Sequence, residues 1–185
     1  ADESVTAEEA KALINDVPAW GGDESPYALL ARARRELGDA AAERKTLEAS
    51  ASHSDDALET YRRLIELTVA DRDLAALVRN VERYLAVDPL SEFPYRMLAE
   101  HGRSIADVRK VVAAARSLVA LEPADRAGAH FLLAKLLHQT HDPEAKRHAL
   151  LALEETPRFR EAQKLLLSIV DRDRPQPRQP TRVEP

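Results

Sequence analysis

The sequence predicts an all-α protein made of stacked antiparallel helix pairs, and three observations carry that prediction. Apolar residues make up 44% of the chain but aromatics only 4%, so the apolar content comes mainly from Ala and Leu, both strong helix formers. Only 5 of the 185 residues are Gly and no run of alternating β-branched residues occurs, so nothing is patterned for a sheet. The third observation is a repeat. Pro89, Pro123 and Pro157 stand 34 residues apart, and Leu85-Ala86-Val87-Asp88-Pro89 answers to Val119-Ala120-Leu121-Glu122-Pro123.

The same step of 34 links Leu30, Leu64, Leu98, Leu132 and Leu166, and also Tyr27, Tyr61 and Tyr95. A second series runs through the other half of each unit: Leu47, Val81, Ala115 and Ala149, with Ala51, Leu85, Val119 and Leu153 four residues later. Residues four apart share a helix face, so each unit carries two amphipathic helices. Neither helix buries its stripe alone; stacked neighbours make the core continuous.

These residues resemble the tetratricopeptide repeat family. Tyr95, Leu98 and Ala99 fit the aromatic, Leu and small positions of its first helix, and Pro123 fits the closing Pro. Leu132, Ala145, Ala152 and Pro157 fit in the next unit. The resemblance covers residues 7–170 and implies a right-handed α-solenoid, a superhelix whose first helices line a concave face. Ile65 and Leu133 stand where a small residue follows the Leu, and Asp55 stands where the first unit's Pro belongs. Looser helix packing is expected there.

Taken in order, residues 7–16 read as a helix, with Thr6 and Glu9 spaced as a capping box. Pro18, Gly21 and Gly22 break it. Leu13 and Val17 lie 34 before Leu47 and Ala51, so this helix reads either as the second half of a preceding unit or as a terminal cap. Trp20 is expected to plug the groove beside it. Helix pairs follow at 26–37 with 40–51, 55–70 with 73–86, 92–102 with 105–121, and 125–139 with 143–154; a last helix covers 158–170. Pro94 and Pro143 fall in first turns, where a missing N–H costs little. Asp55, Asp56, Ser104 with Asp107, and Asp142 are expected caps. The organisation is thus residues 1–22, an array at 23–170, and a Pro-rich tail at 171–185 that is too polar to bury anything. Pro177-Arg178-Gln179-Pro180 matches a Pro-x-x-Pro ligand only formally.

Composition removes several functions. A formal charge of −5 argues against a general nucleic-acid binder, which needs a net basic surface. With no Cys there is no disulfide, Cys-based zinc site or thiol catalysis, and the compartment stays open. No apolar run is long enough to span a bilayer. His138 and His141 form an H-x-x-H pair, with His130 and His148 nearby, but a metal site needs three or four converging ligands, so no metal or cofactor is expected. No Ser/His/Asp set or Gly-rich phosphate loop occurs, and the expected protein is not an enzyme.

One ladder points to binding. Arg62, Arg96, His130 and Lys164 are 34 apart on the first helices, a row suited to an acidic peptide or a C-terminal carboxylate. Glu66 and Glu100 stand four residues after the two arginines, the spacing of intrahelical ion pairs. The expected function is a scaffolding module that binds a peptide or protein segment on its concave face. The alternative is a helical accessory domain that positions or oligomerises a larger protein, whether or not that protein is an enzyme.

Overall fold

The computed structural model describes Ala12 and residues 25–53, 57–102 and 108–173, and every regular element among them is helical. The chain divides into two compact units, residues 1–121 and 122–185. The first holds three antiparallel pairs: α1 (Pro26–Glu36) with α2 (Ala40–Ala51), α3 (Leu58–Ala70) with α4 (Leu74–Val87), and α5 (Glu92–His101) with α6 (Val108–Ala120). The second holds α7 (Arg126–Gln139) paired with α8 (Glu144–Glu155), and α9 (Arg160–Asp173) packed on α8. The expected cap and groove residues Thr6, Trp20, Asp55, Asp56, Ser104 and Asp107, and the prolines after Asp173, lie outside the described residues.

Side-chain caps set the helix starts. Ser25 accepts from the Ala28 N–H at 3.2 Å with Pro26 following, and Asp39, Asp73 and Asp125 accept from the N–H three residues on at 3.0, 3.0 and 2.8 Å. Each satisfies a donor that the first turn leaves without a carbonyl. Asp142 accepts instead from the Glu144 N–H at 2.9 Å, since Pro143 intervenes.

The turns inside the pairs repeat as well. Gly38, Arg72 and His141 all adopt positive φ, at 73°, 57° and 60°. The following Asp39, Asp73 and Asp142 each donate an N–H to the carbonyl five residues back, at 3.0, 2.9 and 2.9 Å, closing the preceding helix. Asp39 and Asp73 then cap the next helix, so one residue ends one helix and starts another.

The core follows the ladders. Leu30, Leu64, Leu98 and Leu132 are buried, and Ala115, Ala145, Ala149 and Ala152 are fully so. Ile65 and Leu133 are also buried, at 0% and 1% exposure, so the looser packing expected there is not found. In the second unit the facing α8 carries Ala145, Ala149 and Ala152, which leaves room for a Leu. Of the ladder tyrosines Tyr27, Tyr61 and Tyr95, only Tyr61 is core. Tyr27 is half-buried and stacks on His53, and Tyr95, also half-buried, donates to the Pro89 carbonyl at 3.1 Å. No helix among the described residues is long and apolar enough to cross a membrane.

Candidate functional site

The repeat makes one pair of residues conspicuous. Positions 43, 77, 111 and 145 are equivalent and hold Glu43, Leu77, Val111 and Ala145, all at most 1% exposed. Positions 29, 63, 97, 131 and 165 hold Leu29, Arg63, Met97, Phe131 and Leu165. In the first unit alone, then, a carboxylate and a guanidinium occupy two positions that are otherwise apolar. They meet. Arg63 donates from Nε to Glu43 Oε1 at 2.7 Å and from Nη2 to Oε2 at 3.0 Å, a bidentate pair between α3 and α2. Arg35 on α1 donates from Nε to Glu43 Oε1 at 2.7 Å. Burial pushes the Glu43 carboxyl up, but the bonds from Arg63 and Arg35 and their positive charge outweigh it and hold it below the usual carboxylate range. Arg63 is raised, first by its bond to Glu43.

This cluster orders the predicted ladder beside it. Arg63 Nη1 donates to Glu66 Oε2 at 3.0 Å, while Arg62 Nε stays 3.8 Å from Glu66 Oε1. Glu66 is thus held mainly by Arg63. The Arg62 guanidinium lies instead over the Phe93 ring of α5, 4.4 Å from its centre, and is 45% exposed. Arg96 finds a carboxylate one turn back, at Glu92, 3.7 Å away, and Glu100 lies 3.9 Å from His101. A cleft of about 90 Å³ adjoins the cluster, lined in part by Arg32, Arg35, Glu59 and Arg63.

In the second unit, His130 does not present a cation. Its Nδ1 faces His148 Nδ1 at 3.1 Å, a contact that needs one ring to donate and the other to accept. Burial lowers the His130 pKa; the Glu155 and Glu154 carboxylates oppose this and Arg126 reinforces it. Lys164 is exposed, with no ion pair among the described residues. His138 holds α9: its Nε2 lies 3.3 Å from Ser168 Oγ, and its carbonyl accepts from Arg172 at 3.2 Å. No group of three or more metal-ligating side chains occurs among the described residues.

No protein-family model matches the chain, and no curated protein does. Solved structures do. Two crystal structures of MamA superpose on 78% of this chain with TM-scores of 0.62 and 0.67 at 14% and 16% identity, covering 94% and 79% of those chains. The Cut9-Hcn1 hetero-tetramer of the APC/C matches 78% of this chain at 18% identity with a TM-score of 0.57, over 29% of its own chain. The fold is a tetratricopeptide-type helical repeat. Within that repeat, spacing singles out Arg62, Arg96, His130 and Lys164 but not Glu43 and Arg63. With the units set beneath one another at 34, both stand out as charges in columns that are otherwise apolar.

Proposed function

We propose that this tetratricopeptide-type chain is a protein-interaction module, not an enzyme, and that it binds an acidic peptide segment across α3 and α5. The observation that carries the reading is the unequal sharing of Glu66. With Arg63 drawing that carboxylate away, Arg62 keeps exposed donors, set on Phe93, for an incoming carboxylate. Arg96 lies one repeat on, 3.7 Å from Glu92. Lys164 and His130 are the corresponding positions of the second unit. The facing edge of His130 is engaged by His148.

The test is anisotropy with short fluorescein-labelled Glu-rich peptides and Lys-rich counterparts. The Glu-rich set binds, and Arg62→Glu or Arg96→Glu weakens it at least about tenfold, or ~1.4 kcal/mol. Arg79→Glu, on exposed α4 surface, changes nothing. Equal binding by all variants would overturn the reading.

A second reading, a helical domain that positions or oligomerises a larger protein, is favoured by the charge balance, since Arg62 and Arg96 each already face a carboxylate. It takes precedence if acidic peptides fail to bind.

A further inference from the structure

The repeat supplies its own standard for which surfaces should be covered. Positions 31, 65, 99, 133 and 167 are equivalent and hold Ala31, Ile65, Ala99, Leu133 and Leu167. The first four are 1%, 0%, 0% and 1% exposed; Leu167 is 64% exposed. One turn on, Thr68 and Leu136 are 2% and 1% exposed and Gly102 is buried, whereas Val170 is 37% exposed. In α3, α5 and α7 a second helix packs on the first. For α9 none does among the described residues, so two side chains built for a helix–helix seam face solvent.

In register, that second helix would begin just past α9. By the repeat it would start near 176–178, and Pro177, Pro180 and Pro185 stand there. Pro180 and Pro185 would fall inside its body, each removing a backbone hydrogen bond and colliding with the preceding turn.

The interior pairs also define what fits. α7, which carries the buried Leu133 and Leu136, pairs with α8, whose buried face is Ala145, Ala149 and Ala152, a stripe of small residues. Between the first two alanines stands His148, opposite His130. The residue one repeat after His130 is Lys164, exposed and one turn before Leu167. A helix seated on α9 as α8 sits on α7 therefore brings its equivalent of His148 to a lysine. Arg160, also exposed, lies on the same side one turn earlier. Both cations ask for a carboxylate there.

We propose that the Leu167–Val170 face of α9 is a docking site for an amphipathic helix from a different polypeptide. The helix carries small residues at i, i+4 and i+7 and an Asp or Glu at i+3. This site lies within the second unit and uses no residue of the α3–α5 arginine site, so either proposal can fail alone.

The test uses the full chain and a labelled peptide of residues 142–156, the segment that covers the equivalent face of α7. The peptide is stapled on its outward side, because so short a helix is marginal alone. Two forms are compared, one with His148 and one with H148E. Both bind saturably, and the Glu form binds about two- to fivefold tighter, the range of an exposed ion pair. Lys164→Glu reverses that preference. Leu167→Glu weakens both forms at least about tenfold while leaving helicity and Tm unchanged, because the side chain is already mostly in water. Arg79→Glu, on exposed α4 surface, leaves binding unchanged. Absence of saturable binding, or equal binding by Leu167→Glu, overturns the proposal. Sedimentation over a range of concentrations supplies the remaining arm: self-association abolished by Leu167→Glu would make the occupant a second copy and overturn the assignment to a different polypeptide.

Discussion

Replacing Glu43 by Gln removes one charge and almost no volume, so its effect isolates the buried cluster. The carboxylate is 1% exposed and accepts three bonds, two from Arg63 and one from Arg35. Breaking a fully buried ion pair costs about 3–5 kcal/mol. Here the partners are not fully buried: Arg35 is 48% exposed and Arg63 25%. Water replaces most of what Arg35 loses, so its share falls to the ~0–1 kcal/mol of a surface pair. The Arg63 share is ~2–3 kcal/mol, since charge-assisted bonds contribute about 1.5–3 kcal/mol each but screening is partial. The expected loss is therefore ~2–4 kcal/mol, read by urea unfolding with far-UV circular dichroism. The pH dependence follows in sign. Because the folded state holds the carboxyl below its usual range, its contribution is fully present above the unfolded carboxyl's range and is lost as pH falls through the folded value. That component disappears in Glu43→Gln. A loss under ~0.5 kcal/mol with an unchanged acid limb would refute the reasoning. The paired change Glu43→Leu with Arg63→Met restores the apolar columns and should be at least as stable as the parent, because well-packed apolar residues commonly replace a buried ion pair without loss.

Three further outcomes are expected. Arg72 adopts φ 57° where Gly38 stands in the equivalent turn, so Arg72→Gly should raise stability by ~0.5–1 kcal/mol and Gly38→Ala lower it by about 1 kcal/mol, both read as Tm. Leu133→Ala removes a fully buried side chain opposite small residues and should cost ~2–5 kcal/mol in urea unfolding. His130 is held below its usual pKa in the fold, so it is present neutral at pH 7. Unfolding takes up a proton as pH falls through the unfolded histidine's range, and stability drops toward pH 5; His130→Gln, followed by thermal unfolding against pH, should flatten that limb.

The fold was legible because it is written redundantly. Each column of the repeat restates the same helix face, so Leu30 to Leu132 mark a core that no single helix would reveal. The caps were partly legible. Asp142 was anticipated, whereas the double duty of Asp39 and Asp73 depends on a turn whose positive-φ residue is Gly in one unit and Arg in the next. The site was less legible for a physical reason. Spacing reports which side chains share a face, but not which of two competing partners a carboxylate prefers. Glu66 lies four residues from Arg62 and three from Arg63, and only the bond lengths, 3.8 Å against 3.0 Å, reveal the choice. The His130–His148 contact was hidden for a similar reason: the partner is 18 positions away, on another helix.

The departures from periodicity differ in kind, and the difference bears on what they do. Ile65 and Leu133 break the small-residue rule and are absorbed: both remain buried, so they concern packing alone. Glu43 and Arg63 break the apolar rule together, and each satisfies the other at bonding distance. A lone charge in a core column would be expelled or neutralised, whereas a matched pair persists and orients what it touches. What it touches here is Glu66, and through it Arg62, the exposed cation on Phe93. Because a restored apolar pair is expected to be no less stable, stability alone gives no reason for the cluster. Its distinctive consequence is the placement of Arg62. The stability-matched double variant therefore separates the two roles: if it folds as well as the parent and still binds acidic peptides equally, the cluster does not serve recognition through Arg62.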